Sequence, residues 1–296
     1  MDEQQFYTEG GASLVGVFDS MEEFMNAALN PPKKTKWWQY WINGGEKGLP
    51  RLSRGETQDW YGFSAEDGIW GQVGTAGICK LVSKGWVRGT KMIEKAFESI
   101  QCDVRPVLVR RRRVRSDQGD SLDIHAVYRG NLETAWDKCV PRTFQGPQRV
   151  TIVNDALDFG SAASEKMFWR GAAVCALADK LVRAGYSVRV VSGWKGGLES
   201  GQTVCRVEVK SFTAPLDLAT LAAGVALPAF FRSIGHTWGC GWAEKHNTSG
   251  FHVYSLTAMP GEVLMSNRST VCDAATASAW VVEQINALQV PEQLAA

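Results

Sequence analysis

The stretch from Ser164 to Ala184 constrains the fold most, because it is strongly helical and short β-branched runs lie on either side of it. Met167, Ala172, Cys175, Leu177, Leu181 and Val182 recur at mostly helical spacing, and Gly185 supplies the stop that commonly follows a helix. Val150 to Val153 before it and Val188 to Val191 after it read as buried strands. Strand, long helix and strand in that order favour a parallel or mixed sheet covered by helices. Further along, Thr203 to Lys210 alternates polar and apolar residues and predicts a half-buried, edge-type strand. Leu216 to Phe231 predicts a helix despite Pro228. His252 to Leu256 and Glu262 to Met265 predict strands, and Ala274 to Leu288 a closing helix. The fold class is α/β.

The first half reads differently. Ser20 and Glu23 form an S-x-x-E capping box at the start of a helix running to Leu29, and Pro31-Pro32 ends it. A basic, aromatic, Gly-rich stretch follows, KKTKWWQYWINGGEKGLPRLSRGE, with the look of loop and short strand pieces. Ser64 to Trp86 predicts a Gly-interrupted helical region and Thr90 to Ile100 an amphipathic helix. Arg105 to Arg115 and Leu122 to Tyr128, separated by the turn SDQGDS, predict a β-hairpin. The change of pattern near 140–148 gives two expected regions: 1–147, α+β with the basic and aromatic segment, and 148–296, α/β.

Several function classes lack support. No apolar run approaches the roughly 20 residues of a membrane helix. The acidic, polar start MDEQQFYTEGG does not read as a secretory signal, so a cytoplasmic protein is expected. Seven scattered cysteines with no C-x-x-C fit reduced thiols rather than disulfides or a zinc site. The phosphate-binding loops, the G-x-S-x-G elbow and H-E-x-x-H are absent. Asp158-Phe159-Gly160 spells a kinase tripeptide without the other kinase signatures, and reads as coincidence. His236 and Cys240 are two metal-ligand types close together, too few for a site. No catalytic residue, cofactor or metal is expected.

A von Willebrand A-type domain also opens with a strand, a D-x-S-x-S metal loop and a long helix. Here Asp155, Asp158, Ser161 and Ser164 occupy that region at another spacing, so the second half is read as distantly of that shape, the loop residues capping the helix and shaping the turn.

Charge is unevenly spread. Residues 1–30 hold six acids and no Lys or Arg, residues 31–115 are net +9, and residues 116–296 are net −2. Within the basic region, Lys33, Lys34 and Lys36 run into Trp37, Trp38, Tyr40 and Trp41. Lysines supply phosphate partners, and flat aromatic rings stack on unpaired bases for about 1–3 kcal/mol each. The same aromatics read equally well as core with a solvated lysine flank. The second candidate is Arg110, Arg111, Arg112, Arg113 and Arg115. In sequence the nearest acids are Asp103, Asp117 and Asp120, too few to neutralise them, and a phosphate backbone is their natural counterion. The other reading is a strand edge guarded by charge. Trp194-Lys195, in SGWKGGLESG, reads as part of a Gly-rich connection and is a weaker candidate for a clamp. The acidic first 30 residues either compete with nucleic acid for the basic region or dock a protein.

The order WYGFSAEDG…LVSKGWVRG, GDSLDIHAVYRGNLETAW and RVTIVND…RGAAVCALADKLVRAGYSVRVV resembles the single-stranded-DNA-binding RNA polymerase cofactors of podoviruses, from about 20 to 290. The shared features are glycines, tryptophans and helix pattern, and they transfer no binding residue one by one. The resemblance implies a non-enzymatic bacteriophage protein of early transcription, acting in the host cytoplasm on single-stranded DNA and a phage RNA polymerase. Whether it forms a homo-oligomer is left open. The rival expectation is a degenerate von Willebrand A-type interaction module without nucleic-acid binding.

Overall fold

The computed structural model describes residues 14–32, 34, 38–39, 42, 74–100, 111–141, 148–156, 164–198, 201–242 and 252–289. In chain order they form β1 (Leu14–Phe18), α1 (Met21–Leu29), α2 (Thr75–Ser83), α3 (Val87–Ser99), β2 (Arg111–Ser116) and β3 (Ser121–Leu122). There follow α4 (Ile124–Tyr128), a 3-10 turn at Leu132–Thr134, β4 (Trp136–Pro141), β5 (Arg149–Asp155), α5 (Ser164–Arg183), β6 (Ser187–Leu198) and β7 (Gly201–Lys210). The last elements are α6 (Leu218–Val225), a π-helical turn at Phe230–Gly235, α7 (His236–Trp242), β8 (His252–Tyr254), β9 (Glu262–Met265) and α8 (Ala274–Gln289).

The β-branched runs of the second half form the centre of a six-stranded mixed sheet ordered β1-β7-β6-β5-β9, with β8 on the far end of β6. β5 lies parallel to both β6 and β9, with Ile152 in register with Val190 and Val263. This is the crossover that the long helix demanded, and Gly185 ends that helix with φ of 91°, in the left-handed region where glycine carries no Cβ penalty. β7 turns back antiparallel on β6. It is not an edge, because β1 pairs with it in parallel, Gly16 opposite Cys205 and Phe18 opposite Val207. β6 runs on through Trp194 and Lys195 to Leu198, so those residues are strand, not connection, and the clamp reading of the loop is corrected.

The expected boundary at 147/148 does not divide the core. One hydrophobic cluster contains Phe18 and Phe24 from the first half together with Ile152, Val190, Phe230, Phe231 and Ile285 from the second. Phe24 is its aromatic hub, with ring centroids 5.0 Å from Phe18, 5.5 Å from Phe230, 5.9 Å from Phe231 and 6.2 Å from Trp238. Such pairs add about 0.5–1.5 kcal/mol each beyond area burial. Gly16 is needed for its lack of a side chain, since a Cβ there would lie 2.5 Å from the Trp238 ring that crosses β1.

Local signals explain the helix ends. Ser20 Oγ accepts the Glu23 N–H at 3.1 Å, and the Glu23 carboxylate reaches back to the Asp19 N–H at 2.9 Å. Pro228 does not sit inside one helix. α6 ends at Val225, and the chain resumes helix at Pro228, where a missing N–H costs little, before the π turn and α7.

A second, three-stranded sheet has the order β2-β4-β3. The expected hairpin is therefore corrected: β4 lies between the two strands and pairs antiparallel with each. Leu122 to Tyr128 is strand only at Leu122. The Asp123 carboxylate accepts N–H bonds from His125 and Ala126, and this cap turns Ile124–Tyr128 into helix.

Candidate nucleic-acid interface

The small sheet carries the arginine strand. Arg111 and Arg112 open β2 in register with Pro141 and Val140, and Arg113 and Arg115 pair with Cys139 and Asp137. Arg113 and Arg115 are exposed, as is Lys138 on β4. Arg110 lies outside the described residues.

The fold supplies acids that sequence distance concealed. Arg115 Nη2 lies 3.0 Å from Asp123 Oδ2, and Asp137 stands opposite Arg115 in the ladder. The helix-cap N–H of Ala126, aided by the charge of Arg115, holds the Asp123 carboxyl below the usual carboxylate range. Residues 111–141 hold six Lys or Arg and five Asp or Glu. The expectation that little local acid answers the arginines is thus corrected for Arg115, and long-range attraction from this unit is modest. An ion pair this close to solvent is screened and weak.

The lysine and tryptophan candidate divides. Lys33, Lys36, Trp37, Tyr40 and Trp41 lie outside the described residues. Trp38 is only 7% exposed. Its indole N–H donates to the Ala28 carbonyl at 2.8 Å, and Lys34 Nζ sits 5.6 Å from its ring centroid. Trp38 is a core residue with its face under a cation, and the expectation that it stacks on bases is corrected. Trp194, 1% exposed, is likewise core.

One exposed aromatic was not singled out by the sequence. Tyr128, at the end of α4, is 85% exposed. Around it in the chain, Leu122, Ile124 and Leu132 are each at least 45% exposed, while Ala126 and Ala135 are buried. Arg129 is exposed beside Tyr128, its Nε bonded to the His125 carbonyl. The only sequence signal for Tyr128 was its place between a helix-capping Asp123 and the turn at Gly130.

The remaining candidates are structural. Asp155 Oδ2 accepts the N–H groups of Leu256, at 2.9 Å, and Asn267, and Arg170 Nη1 donates to the Asn267 carbonyl. This buried set ties the segment before and after β9 to the end of β5. Asp158 and Ser161 lie outside the described residues, and Ser164 opens α5. Among the described residues no group of three or more His, Cys, Asp and Glu could hold a metal ion. Desolvation and the Arg232 charge hold His236 down to about 4, so it is neutral at physiological pH. Burial pushes Cys79 and Cys240 up to about 12, and Cys175 and Cys205 well above the ordinary thiol value.

That contrast gives a test of the face. Cys139, opposite Arg113, and Cys272, just before α8, are exposed, whereas the four buried thiols are poorly reactive. Saturating oligothymidine should slow maleimide modification of Cys139 by about tenfold, in proportion to occupancy, and leave Cys272 unchanged. Peptide mapping by mass spectrometry reads both sites together. Equal labelling of Cys139 with and without DNA would take the arginine strand out of the interface.

No single helix among the described residues is long and apolar enough to cross a membrane. A family model described as a domain of unknown function (DUF7192) matches residues 7–287. No curated protein and no solved structure matches the chain.

Proposed function

The chain belongs to the DUF7192 family, and we propose that it is a non-enzymatic single-stranded-DNA-binding protein of low sequence specificity. The observation that carries this reading is the pairing, on one small sheet unit, of an exposed basic strand with an exposed tyrosine. Arg113 and Arg115, on one face of β2, offer phosphate partners, and Tyr128 offers a flat ring to an unpaired base. Because the unit is nearly charge-balanced, affinity depends on close contacts and stacking more than on a long-range field. The sequence resemblance adds the setting, which is phage transcription in the host cytoplasm with a phage RNA polymerase as protein partner.

Unpaired bases are what a tyrosine platform needs, and a duplex does not offer them. A labelled oligothymidine should bind about tenfold or more tightly than a duplex of equal length at the same salt, read by fluorescence anisotropy. Equal affinities would end the stacking account.

A second reading is favoured by the exposed Leu122, Ile124 and Leu132, which suit a protein surface as well as a base. In that reading the chain is an interaction module of degenerate von Willebrand A type, and oligothymidine does not bind at all.

A further inference from the structure

We propose that a groove between α1, α2 and the uncovered edge of β7 docks a basic, extended segment of a protein partner. The groove arises from a mismatch in strand length. β1 stops at Phe18, opposite Val207, while β7 continues to Lys210. Glu208 to Lys210 pair with β6 on one side, and among the described residues no strand pairs with them on the other. The chain leaves the sheet at Asp19 and enters α1, and a cavity of about 780 Å³ lies between that turn, α2 and the connection from β7 to α6.

The lining has two chemistries. Met21, Met25 and Val82 form a buried, apolar floor. Asp19, Glu22 and Asp217 line the cavity as exposed carboxylates. The cation in the wall, Lys210, donates to the carbonyls of Val188 and Ser211, so its protons are directed to backbone. Arg189 is paired with Glu208. The rim therefore selects positive charge.

An unpaired strand edge binds a peptide by adding a strand, with backbone hydrogen bonds giving affinity and alternate side chains giving specificity. Strand residues rise about 3.3 Å each, so the free edge accommodates about three residues of a partner. An apolar side chain facing inward meets two methionines, whose unbranched thioethers adapt to varied shapes. Basic side chains on either side meet the carboxylates. The groove uses none of the proposed DNA contacts, so this interaction stands apart from the nucleic-acid reading.

The probe is a fluorescein-labelled peptide of alternating Lys and Leu, about eight residues long, titrated against the full chain without DNA at low ionic strength. Two control peptides replace Lys by Glu or carry N-methylated backbone amides. The Lys–Leu peptide should bind and both controls should fail. The Asp19→Asn, Glu22→Gln double variant, checked by circular dichroism, should bind it about tenfold more weakly while keeping the parent affinity for oligothymidine. Binding of the Glu–Leu peptide equal to that of Lys–Leu removes the charge selection. Equal binding of the N-methylated peptide removes the strand edge. Parent-like peptide binding by the double variant places the peptide elsewhere. Any of these overturns the proposal.

Discussion

Replacing Phe24 by alanine should destabilise the chain by about 3–5 kcal/mol, the usual cost of deleting a buried aromatic ring. Phe24 has no accessible surface and meets Phe18, Phe230, Phe231 and Trp238 at once. The loss combines the transfer of the ring with a cavity that four neighbouring aromatics cannot easily fill. The result also bears on how the chain is divided. α1 belongs to the first half in sequence, yet three of the four rings that Phe24 meets, Phe230, Phe231 and Trp238, come from the second. Thermal unfolding followed by both far-UV circular dichroism and tryptophan fluorescence should therefore shift as one transition. If Phe24→Ala melts a separate early step and leaves the major transition at its parent temperature, α1 is not part of the common core.

The second large effect concerns Tyr128. Its ring is 85% exposed and lies outside the aromatic core, so Tyr128→Ala should leave thermal stability within about 0.5 kcal/mol of the parent. Binding to oligothymidine should fall by about 1–3 kcal/mol, roughly fivefold to 150-fold, if one base stacks on the ring. The salt dependence should not change, because stacking releases no counterions. Tyr128→Phe should retain most of the affinity, since the ring and not the hydroxyl supplies the contact. If Tyr128→Ala binds like the parent, no base rests on Tyr128, and its exposure serves another partner.

These expectations show which parts of the molecule local chemistry writes into the sequence. α5 was legible because its helical spacing and Gly185 agree with the place it occupies, buried between sheet and helices. The capping box at Ser20 was legible because both partners lie within one turn. β1 was not, since LVGVF is short and carries a glycine, and Val17 is 53% exposed, so periodicity gave no clear face. Its strand character comes from β7, far along the chain. Leu122 to Tyr128 misleads because Ile, Val and Tyr favour strands, while a single Asp123 side chain satisfies the amides of a helix start. The same distance problem governs the site. Arginine density can be counted in sequence, but Asp123 and Asp137 reach Arg115 only through the fold. An aromatic residue declares its ring but not its side. Trp38 turned inward to the Ala28 carbonyl and Tyr128 outward, and nothing within a few residues of either distinguishes them.

The central claim is that the β2 arginines meet phosphates, and the salt dependence of single-strand binding measures it most directly. Each phosphate contact contributes about 0.7 to the logarithmic salt slope on a single strand. Three arginines acting freely would contribute about 2, but Arg115 is already matched by Asp123, and displacing that carboxylate cancels its share, leaving two contacts. Replacing Arg111, Arg113 and Arg115 together by Gln should therefore weaken binding to oligothymidine and flatten the slope by about 1.4. Circular dichroism on the same samples guards against an unfolded variant. A folded triple variant whose slope equals that of the parent would contradict the account, and would leave the arginine strand as a solvated edge.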